Sequence, residues 1–188
     1  MEAVDTTKRM RDSMRAFIAL ELPESFTDQT AQLAHALQSR VQGRFMKRDT
    51  YHVTLAFLGE IGEPEVASAM SALDAISSLP AVPLNTEGLG AFKARKEQTL
   101  YMALSRTSQA MHLSKALREE LASRNVSFDA KKFLPHVTLA RRAHVAQSDL
   151  EALPFPTPAT ATHVTLFKSE LSHEGATYKP LYTVKLSQ

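Results

Sequence analysis

The sequence predicts an α+β fold in which helices pack outside largely antiparallel sheets. Three observations lead to this prediction. The apolar pattern mixes helices with consecutive pairs of strands, and 188 residues that are 44% hydrophobic are enough for one domain with a sizeable core. The tetrapeptide His-Val-Thr-Leu also occurs in two strand-like runs, beginning at residues 52 and 136, 84 positions apart. That spacing predicts two half-domains that each contribute one strand to a central cleft, a bilobal arrangement.

The chain is predicted to begin with a strand and a helix. Residues 14–20 are mostly apolar, as in a buried strand. Pro23 suits the first turn of a helix that runs to about residue 40, in which Leu33 and Leu37 share the apolar face. Gly43 ends this helix.

The first tetrapeptide lies in the next strand. A short strand over residues 44–47 is predicted before it, and the strand itself covers residues 51–58. The sequence Glu63-Pro64-Glu65 then opens a helix, which Pro80 ends. The apolar face of this helix consists of Val66, Met70, Leu73 and Ile76.

The middle of the chain combines extended segments with a third helix. Residues 82–92 are predicted to be extended, with breaks at Gly88 and Gly90, and residues 99–104 form a clear strand. Ser108 is a plausible N-cap for a helix that runs to residue 124, and its inward residues are Met111, Leu113, Leu117 and Leu121.

The last third is predicted to be mainly extended. The second tetrapeptide strand covers residues 135–140, followed by a short helical piece at 148–153 and a proline-rich link at 154–158. Two closing strands, over 159–171 and 178–186, are joined by a turn at 173–175.

Composition limits the classes of function. Residues 1–13 are polar and charged and are predicted to be a disordered extension, so that residues 14–188 form the single bilobal domain. No apolar run approaches the length of a membrane span, and the absence of cysteine excludes disulfides and thiol chemistry. We therefore expect a cytoplasmic protein, and a monomer. The net charge of +2 does not imply non-specific nucleic-acid binding, although a local basic patch remains compatible with it.

Each tetrapeptide places one imidazole and one hydroxyl on the same face of its strand. Side chains two positions apart on a strand point the same way, so His52 pairs with Thr54, and His136 with Thr138. The intervening valine and leucine face the core. Two such pairs facing each other would supply an acid, a base and two hydroxyl donors around one small anion.

A third copy of the tetrapeptide begins at His163. The same letters also describe any half-exposed amphipathic strand, so each copy has to be judged by its flanking residues. We predict that His163 and Thr165 lie on the solvent face of a strand and take no part in the site.

The motifs and their flanks together resemble the 2H phosphoesterases, and more narrowly the bacterial and archaeal RNA 2′,3′-cyclic phosphodiesterases formerly called 2′-5′ RNA ligases. The resemblance runs from residue 14 to the C-terminus in the family's order. It is carried by residues 15–23, 52–59, 88–92, 133–141 and 169–171, together with Gly175 and Tyr178.

The resemblance implies a bilobal fold and a hydrolytic reaction at RNA ends that yields a 2′-phosphomonoester. It implies that His52 is the proton donor to the leaving 3′-oxygen and that His136 is the proton acceptor from water. The two motifs are nearly symmetric, so these roles rest on the resemblance alone. Thr54 and Thr138 would donate hydrogen bonds to the phosphate oxygens. No metal or other cofactor is expected, because an imidazolium supplies both the charge and the acid.

Three further residues are candidates for binding the substrate. Arg141 resembles the family's phosphate-binding arginine, but strand alternation places it opposite His136 unless the strand bulges. Phe57 and Phe17 could stack on a base, or could simply be core residues. Charged side chains that could face RNA are Arg44, Lys47, Arg48, Lys93, Arg95, Lys96, Lys131, Lys132 and Arg142.

The remaining histidines, His35, His112, His144 and His173, are expected to be solvated, and no ligand spacing indicates zinc. Three alternatives stay open. The substrate could be a small cyclic nucleotide or a 2′-5′-linked oligoadenylate, or the chain could be a non-catalytic RNA-binding module. Microscopic reversibility also allows 2′-5′ ligation of RNA ends, although water favours hydrolysis.

Overall fold

The predicted α+β class is confirmed. The computed structural model describes residues 13–94, 97–144, 152–173 and 175–188. Within them the strands are β1 (Met14–Glu21), β2 (Gln42–Phe45), β3 (His52–Ile61), β4 (Val82–Leu84), β5 (Thr86–Ala94), β6 (Glu97–Leu104), β7 (His136–His144), β8 (Ala159–Ala161), β9 (His163–Ser172) and β10 (Gly175–Lys185). The helices are α1 (Glu24–Gln38), α2 (Glu63–Ile76) and α3 (Ser108–Ser123), and a 3₁₀ turn covers Arg48–Thr50.

Two four-stranded antiparallel sheets form the two lobes. The first has the order β10-β9-β1-β3 and the second the order β2-β7-β6-β5, while β4 and β8 make a separate two-stranded pair. The two tetrapeptide strands, β3 and β7, contact each other where the sheets meet. Their inward residues Val53, Leu55, Val137 and Leu139 are buried in one hydrophobic cluster. The two motifs therefore meet from opposite lobes.

The helices cover this core with one face each. Helix α1 buries Leu33 and Leu37, and α3 buries Leu113, Leu117 and Leu121. Helix α2 buries Leu73 and Ile76 and contacts both α3 and the first sheet. None of the helices in the described residues is long and apolar enough to cross a membrane.

The structure corrects several predicted boundaries. Thr107, rather than Ser108, caps α3: its hydroxyl accepts a hydrogen bond from the backbone N–H of Ala110 at 3.2 Å, while its own backbone is still extended. The segment predicted as one strand over 159–171 divides at Thr162, because β8 pairs with β4 and β9 joins the first sheet.

Two predicted segments fall at or beyond the edge of the described residues. Of the predicted disordered extension, residues 1–12 lie outside them. Of the predicted helical piece at 148–153, only Ala152 and Leu153 are described, and neither is helical.

The third tetrapeptide departs from prediction at one of its two polar residues. His163 is exposed as predicted, but Thr165 is fully buried, so its assignment to the solvent face was wrong. Strand β9 lies between β10 and β1, and the consecutive residues Val164, Thr165 and Leu166 are all buried, so both of its faces are covered there. The Thr165 hydroxyl donates to the carboxylate of Glu21 and lies 2.7 Å from the hydroxyl of Thr183. Thr165 is thus part of a buried polar network.

We expect Thr165→Val to lower the free energy of unfolding by about 1–3 kcal/mol, because it leaves the Glu21 carboxylate and the Thr183 hydroxyl without their buried partner. Urea denaturation followed by circular dichroism measures this loss. His163→Ala, two residues away on the same strand but exposed, is the matched control and should change the stability by less than about 0.5 kcal/mol. Equal effects of the two substitutions would contradict the assignment.

Candidate active site

A cleft of about 420 Å³ lies between the lobes. The first sheet contributes His52, Thr54 and Phe57 to its lining, and the second contributes Thr138 and Arg141. The hairpin of β9 and β10 forms a further wall with Ser169, Leu171, Ser172, Gly175, Ala176 and Tyr178. The cleft therefore draws on both lobes and on both tetrapeptides.

The ring of His52 is held by two hydrogen bonds. Its Nδ1 lies 2.7 Å from the carbonyl oxygen of Thr50, and its Nε2 lies 3.0 Å from the hydroxyl oxygen of Thr54. A carbonyl only accepts, so Nδ1 carries the hydrogen, and in the neutral ring Nε2 is the acceptor. The Thr54 hydroxyl then donates to Nε2, which is the nitrogen available for proton transfer.

His136 repeats this arrangement. Its Nδ1 lies 2.6 Å from the carbonyl oxygen of Leu134, again two residues upstream, which fixes the same tautomer. The ring is half-buried and stands beside the cleft rather than in its lining, whereas Thr138 and Arg141 of the same strand line it. The charge of His136 lowers the pKa of His52, which shows that the two rings are within electrostatic range.

Two aromatic rings support each histidine. The centroid of the His52 ring lies 4.8 Å from that of Phe17 and 5.3 Å from that of Tyr178. His136 lies 5.1 Å from Phe92 and 5.2 Å from Tyr101, with Phe92 edge-on. Side chains of the histidine's own lobe thus fix the plane of each imidazole.

The packing of Phe17 bears on its predicted role as a base-stacking residue. Phe17 is only 4% exposed and also stacks on Phe167 at 5.4 Å. With its faces occupied by His52 and Phe167, it supports the imidazole and has little surface for a nucleobase.

A bulge in β7 brings Arg141 to the site. At Leu139, β7 contains one residue more than the segment of β6 with which it pairs. The extra residue reverses the alternation, so that Leu139 and Ala140 are both buried and Arg141 returns to the face of His136. The structure therefore contains the bulge that Arg141 needs in order to reach the face of His136.

Strand β3 has an equivalent bulge. At Leu55, β3 contains one residue more than the segment of β1 with which it pairs. As a result Leu55 and Ala56 are both buried, and Phe57 faces the cleft. Arg118 of α3 stabilises this bulge: its Nε donates to the carbonyl oxygen of Leu55 at 3.2 Å, and an Nη donates to that of Lys131 at 2.7 Å. Phe57 and Arg141 thus hold equivalent places after the two motifs.

The cleft is strongly cationic. Its lining includes Arg15, Arg44, Lys47 and Arg141 and contains no carboxylate among the described residues. The Arg15 guanidinium lies 4.8 Å from the centroid of Phe57, a cation–π contact. Such a surface is suited to an anionic ligand.

The other cations proposed to face RNA do not line the cleft in the described part of the chain. Arg48 pairs with Asp28 at 2.6 Å, Lys131 with Asp129 at 3.1 Å, and Arg142 lies 3.6 Å from Glu97. Lys93 and Lys132 are exposed elsewhere, and Arg95 and Lys96 lie outside the described residues.

Burial lowers the pKa of both imidazoles and so favours their neutral forms. Desolvation, aided by the charges of His136 and Arg141, lowers the pKa of His52 to about 4, although the hydrogen bond to Thr50 opposes the shift. Desolvation also lowers the pKa of His136, against the hydrogen bond to Leu134. An anion bound between them would raise both pKa values, because it stabilises the imidazolium form.

The remaining predictions concern residues away from the cleft. His35, His112, His144 and His173 are exposed and do not line it. Groups of three or more His, Asp or Glu side chains that could hold a metal ion do not occur in the described ranges.

The sequence analysis assigned no part in the site to Arg15, Tyr101 or Tyr178, each of which lines the cleft or contacts one of the two histidines. Arg15 and Phe17 are two positions apart on one strand, and both line the cleft, so alternation could have identified Arg15. The two tyrosines come from β6 and β10 and reach the histidines only through sheet register, which the sequence does not reveal.

Known proteins are similar to this chain in sequence and in fold. A Thermotoga maritima RNA 2′,3′-cyclic phosphodiesterase is 28% identical over 176 residues, covering 90% of this chain and 94% of the relative. An Escherichia coli RNA 2′,3′-cyclic phosphodiesterase is 26% identical over 185 residues, covering 95% and 100% respectively. The crystal structure of E. coli LigT complexed with 3′-AMP superposes with a TM-score of 0.77 at 25% identity, covering 94% of this chain and 99% of that one.

Two His-x-Thr strands that meet at one cleft define the class of 2H phosphoesterases. The model of the LigT-like phosphoesterase family matches residues 20–101 and 105–178, which is most of the chain. The chain belongs to this family.

Gly90 allows the ring of Tyr101 to reach His136. It lies opposite Tyr101 in the β5–β6 register, and a β-carbon at Gly90 would overlap the tyrosine ring.

We expect Gly90→Ala to displace Tyr101 and so to shift the imidazole resonances of His136 in NMR spectra. Gly59→Ala is the control, because Gly59 has a φ of +73° but nothing within 4 Å of an added β-carbon. It should cost stability and leave the His136 signals in place, and an unshifted spectrum for Gly90→Ala would contradict the role of this glycine.

Proposed function

We propose that this protein hydrolyses RNA 2′,3′-cyclic phosphate ends to 2′-phosphomonoesters without a metal ion, and that His52 and His136 are its acid and base. The observation that supports this best is the matched pair of histidines. Each has its Nδ1 hydrogen-bonded to the carbonyl two residues upstream, and together they border a cationic cleft without a carboxylate in its described lining. The relatives named as RNA 2′,3′-cyclic phosphodiesterases match 90% and 95% of the chain.

In the proposed reaction, Nε2 of His136 takes a proton from a water molecule, whose oxygen attacks phosphorus. The bond from phosphorus to the 3′-oxygen breaks, and protonated His52 donates its Nε2 proton to that oxygen. The products are a 2′-phosphate and a 3′-hydroxyl, and the two histidines have exchanged protonation states. Each proton transfer contributes roughly 10²- to 10⁴-fold to the rate.

Neighbouring groups would stabilise the charge that develops on phosphorus. Thr54 and Thr138 donate hydrogen bonds to non-bridging oxygens, and Arg141 supplies a bidentate cationic contact. In the structure the Thr54 hydroxyl lies 3.0 Å from Nε2 of His52 and donates a hydrogen bond to it. Substrate binding turns this hydroxyl towards the phosphate and frees Nε2 to hold the catalytic proton.

The low pKa of His52 requires that substrate supplies part of the driving force for protonation. A group with a pKa of about 4 is neutral at pH 7, and an acid must carry a proton. The anionic phosphate between the rings raises that pKa, so proton uptake accompanies binding.

Phe57, which lies under the guanidinium of Arg15, is the aromatic side chain that is placed to contact the terminal base. Because both motifs and the cations come from one chain, we propose a monomeric enzyme, and we expect it in the cytoplasm.

The direct test is incubation of the protein, in EDTA, with an oligonucleotide that ends in a 2′,3′-cyclic phosphate, and separately with free cyclic nucleotides and a 2′-5′-linked oligoadenylate. We expect the oligonucleotide to be converted to a 2′-phosphate, with the position determined by phosphorus NMR. A 3′-phosphate product, or activity that EDTA abolishes, would contradict the mechanism. Binding without turnover would indicate the non-catalytic alternative.

Replacing either histidine should remove most of the activity. We expect His52→Ala and His136→Ala each to lower kcat by at least about 10²-fold, because each removes one proton transfer. His112→Ala is the matched control, since this histidine is exposed on α3 and outside the cleft lining. A substantially active His52 or His136 variant would refute the two-histidine mechanism.

The pH dependence follows from the lowered pKa values. Because kcat/KM reports the free enzyme, we expect a bell-shaped profile. One limb should lie at the pKa of His52, the acid, near pH 4, and the other at the pKa of His136, the base, which is lowered from the ordinary imidazole value. Because the reaction needs His52 protonated and His136 neutral at the same time, kcat/KM falls on both sides of these two pKa values. The bell for kcat should lie at higher pH, because bound phosphate raises both pKa values. Steady-state kinetics across pH 3.5–9 measure both profiles, and a kcat bell that is more acidic than that of kcat/KM would contradict the scheme.

A further inference from the structure

Two arginines face each other across neighbouring strands at the cleft. In the pairing of β2 with β7, Arg44 stands directly opposite Arg141. Both are exposed and both line the cleft. Like charges directly opposite in a sheet destabilise the pair, and an anion between or beside them would relieve the repulsion. The described lining of the cleft contains no carboxylate that could do so, which points to an anion supplied by the ligand.

The two guanidinium groups serve different parts of the cleft. The charge of Arg141 lowers the pKa of His52, so Arg141 acts close to the reacting group. The guanidinium of Arg44 instead lies across the cleft against the backbone of Gly175 in β10. Its Nη2 is 2.8 Å from the position that a β-carbon of Gly175 would take. The φ of Gly175 is +123°, so glycine is favoured there for its backbone as well as for the space.

Lys47 reinforces the charge on this side of the cleft. It follows β2 in the segment that leads to His52, and it lines the same cleft as Arg44. Arg48, the next residue, is neutralised by Asp28 and Glu24 on the surface. Arg44 and Lys47 thus differ from Arg48, because they line the cleft whereas Arg48 pairs with surface carboxylates.

We propose that Arg44 forms a second phosphate subsite, which binds the phosphodiester on the 5′ side of the terminal nucleoside while Arg141 binds the reacting cyclic phosphate. This inference rests on the proposed function and narrows its substrate class to RNA ends of two or more nucleotides. A cyclic phosphate occupies the 2′ and 3′ oxygens, so the rest of the chain leaves through the 5′ oxygen, and its first phosphate lies one nucleoside away. The planar guanidinium of Arg44 suits two-pronged recognition of that diester.

The test compares three substrates that share one reacting group. They are cytidine 2′,3′-cyclic phosphate, the dinucleotide CpC ending in a 2′,3′-cyclic phosphate, and the same dinucleotide with an uncharged methylphosphonate linkage. A charge-assisted contact predicts that kcat/KM for the charged dinucleotide exceeds that for either other substrate by about 10-fold or more. The neutral linkage separates binding of the phosphate from stacking of the additional base.

Three substitutions assign the preference to Arg44. Arg44→Ala should bring the ratio of charged to neutral dinucleotide close to one, and Arg44→Lys, which keeps the charge without the fork, should give an intermediate ratio. Arg141→Ala should lower kcat/KM for all three substrates and leave the ratio as in the wild type. Arg106→Ala removes an exposed charge outside the cleft lining and is the control for net charge. Circular dichroism confirms that each variant is folded.

The outcomes separate this inference from the proposed function. A wild-type ratio of one, or a ratio that Arg44→Ala leaves unchanged, would overturn the subsite even if the mononucleotide is hydrolysed. If Arg44→Ala lowers kcat/KM for all three substrates by the same factor, both arginines bind the same phosphate and the inference is wrong. If the wild type hydrolyses none of them, the proposed function fails. Calorimetric titration of the His136→Ala protein with the two dinucleotides then decides the subsite alone, with tighter binding of the charged one expected.

Discussion

The site depends on a hydrogen bond that each signature histidine makes to the carbonyl two residues before it. Thr50 and Leu134 supply these carbonyls at 2.7 and 2.6 Å. Both fix the hydrogen on Nδ1, so that Nε2 is the nitrogen that can accept a proton. The accepting carbonyl is placed by the chain that enters the strand, so the same four residues give a different result elsewhere. In the third copy, Nδ1 of His163 contacts the hydroxyl of the preceding Thr162 at 2.9 Å, and the ring is exposed.

The second requirement is a matching irregularity in the two central strands. A regular strand would send the fifth residue after each histidine into the core. The bulges at Leu55 and Leu139 reverse the alternation, so Phe57 and Arg141 reach the cleft. The equivalent positions carry an aromatic ring on one side and a guanidinium on the other. Two similar scaffolds thus present an aromatic ring and a guanidinium to one cleft, and the asymmetry lies in the side chains rather than in the backbone.

The sequence predicted the elements and the motif strands well because both depend on local pattern. The strand around His52, the helix with Leu33 and Leu37, and the pairing of two distant motifs follow from periodicity and flanking residues. The features that could not be predicted from the sequence depend on the register between strands. Thr165 is buried with its partners Glu21 and Thr183, which belong to the neighbouring strands β1 and β10, and the approach of Tyr101 to His136 follows from the pairing of β6 with β7. The depressed pKa of His52 similarly reflects packing by Phe17 and Tyr178, which belong to distant parts of the chain.

The aromatic supports of the two histidines belong to different sheets. Phe17 and Tyr178, beside His52, lie on β1 and β10, whereas Phe92 and Tyr101, beside His136, lie on β5 and β6. Each imidazole is therefore oriented by its own sheet. The spacing between the two rings is set instead by how the two sheets pack against each other, through the buried contacts of β3 with β7. Orientation and spacing of the pair thus depend on separate sets of contacts.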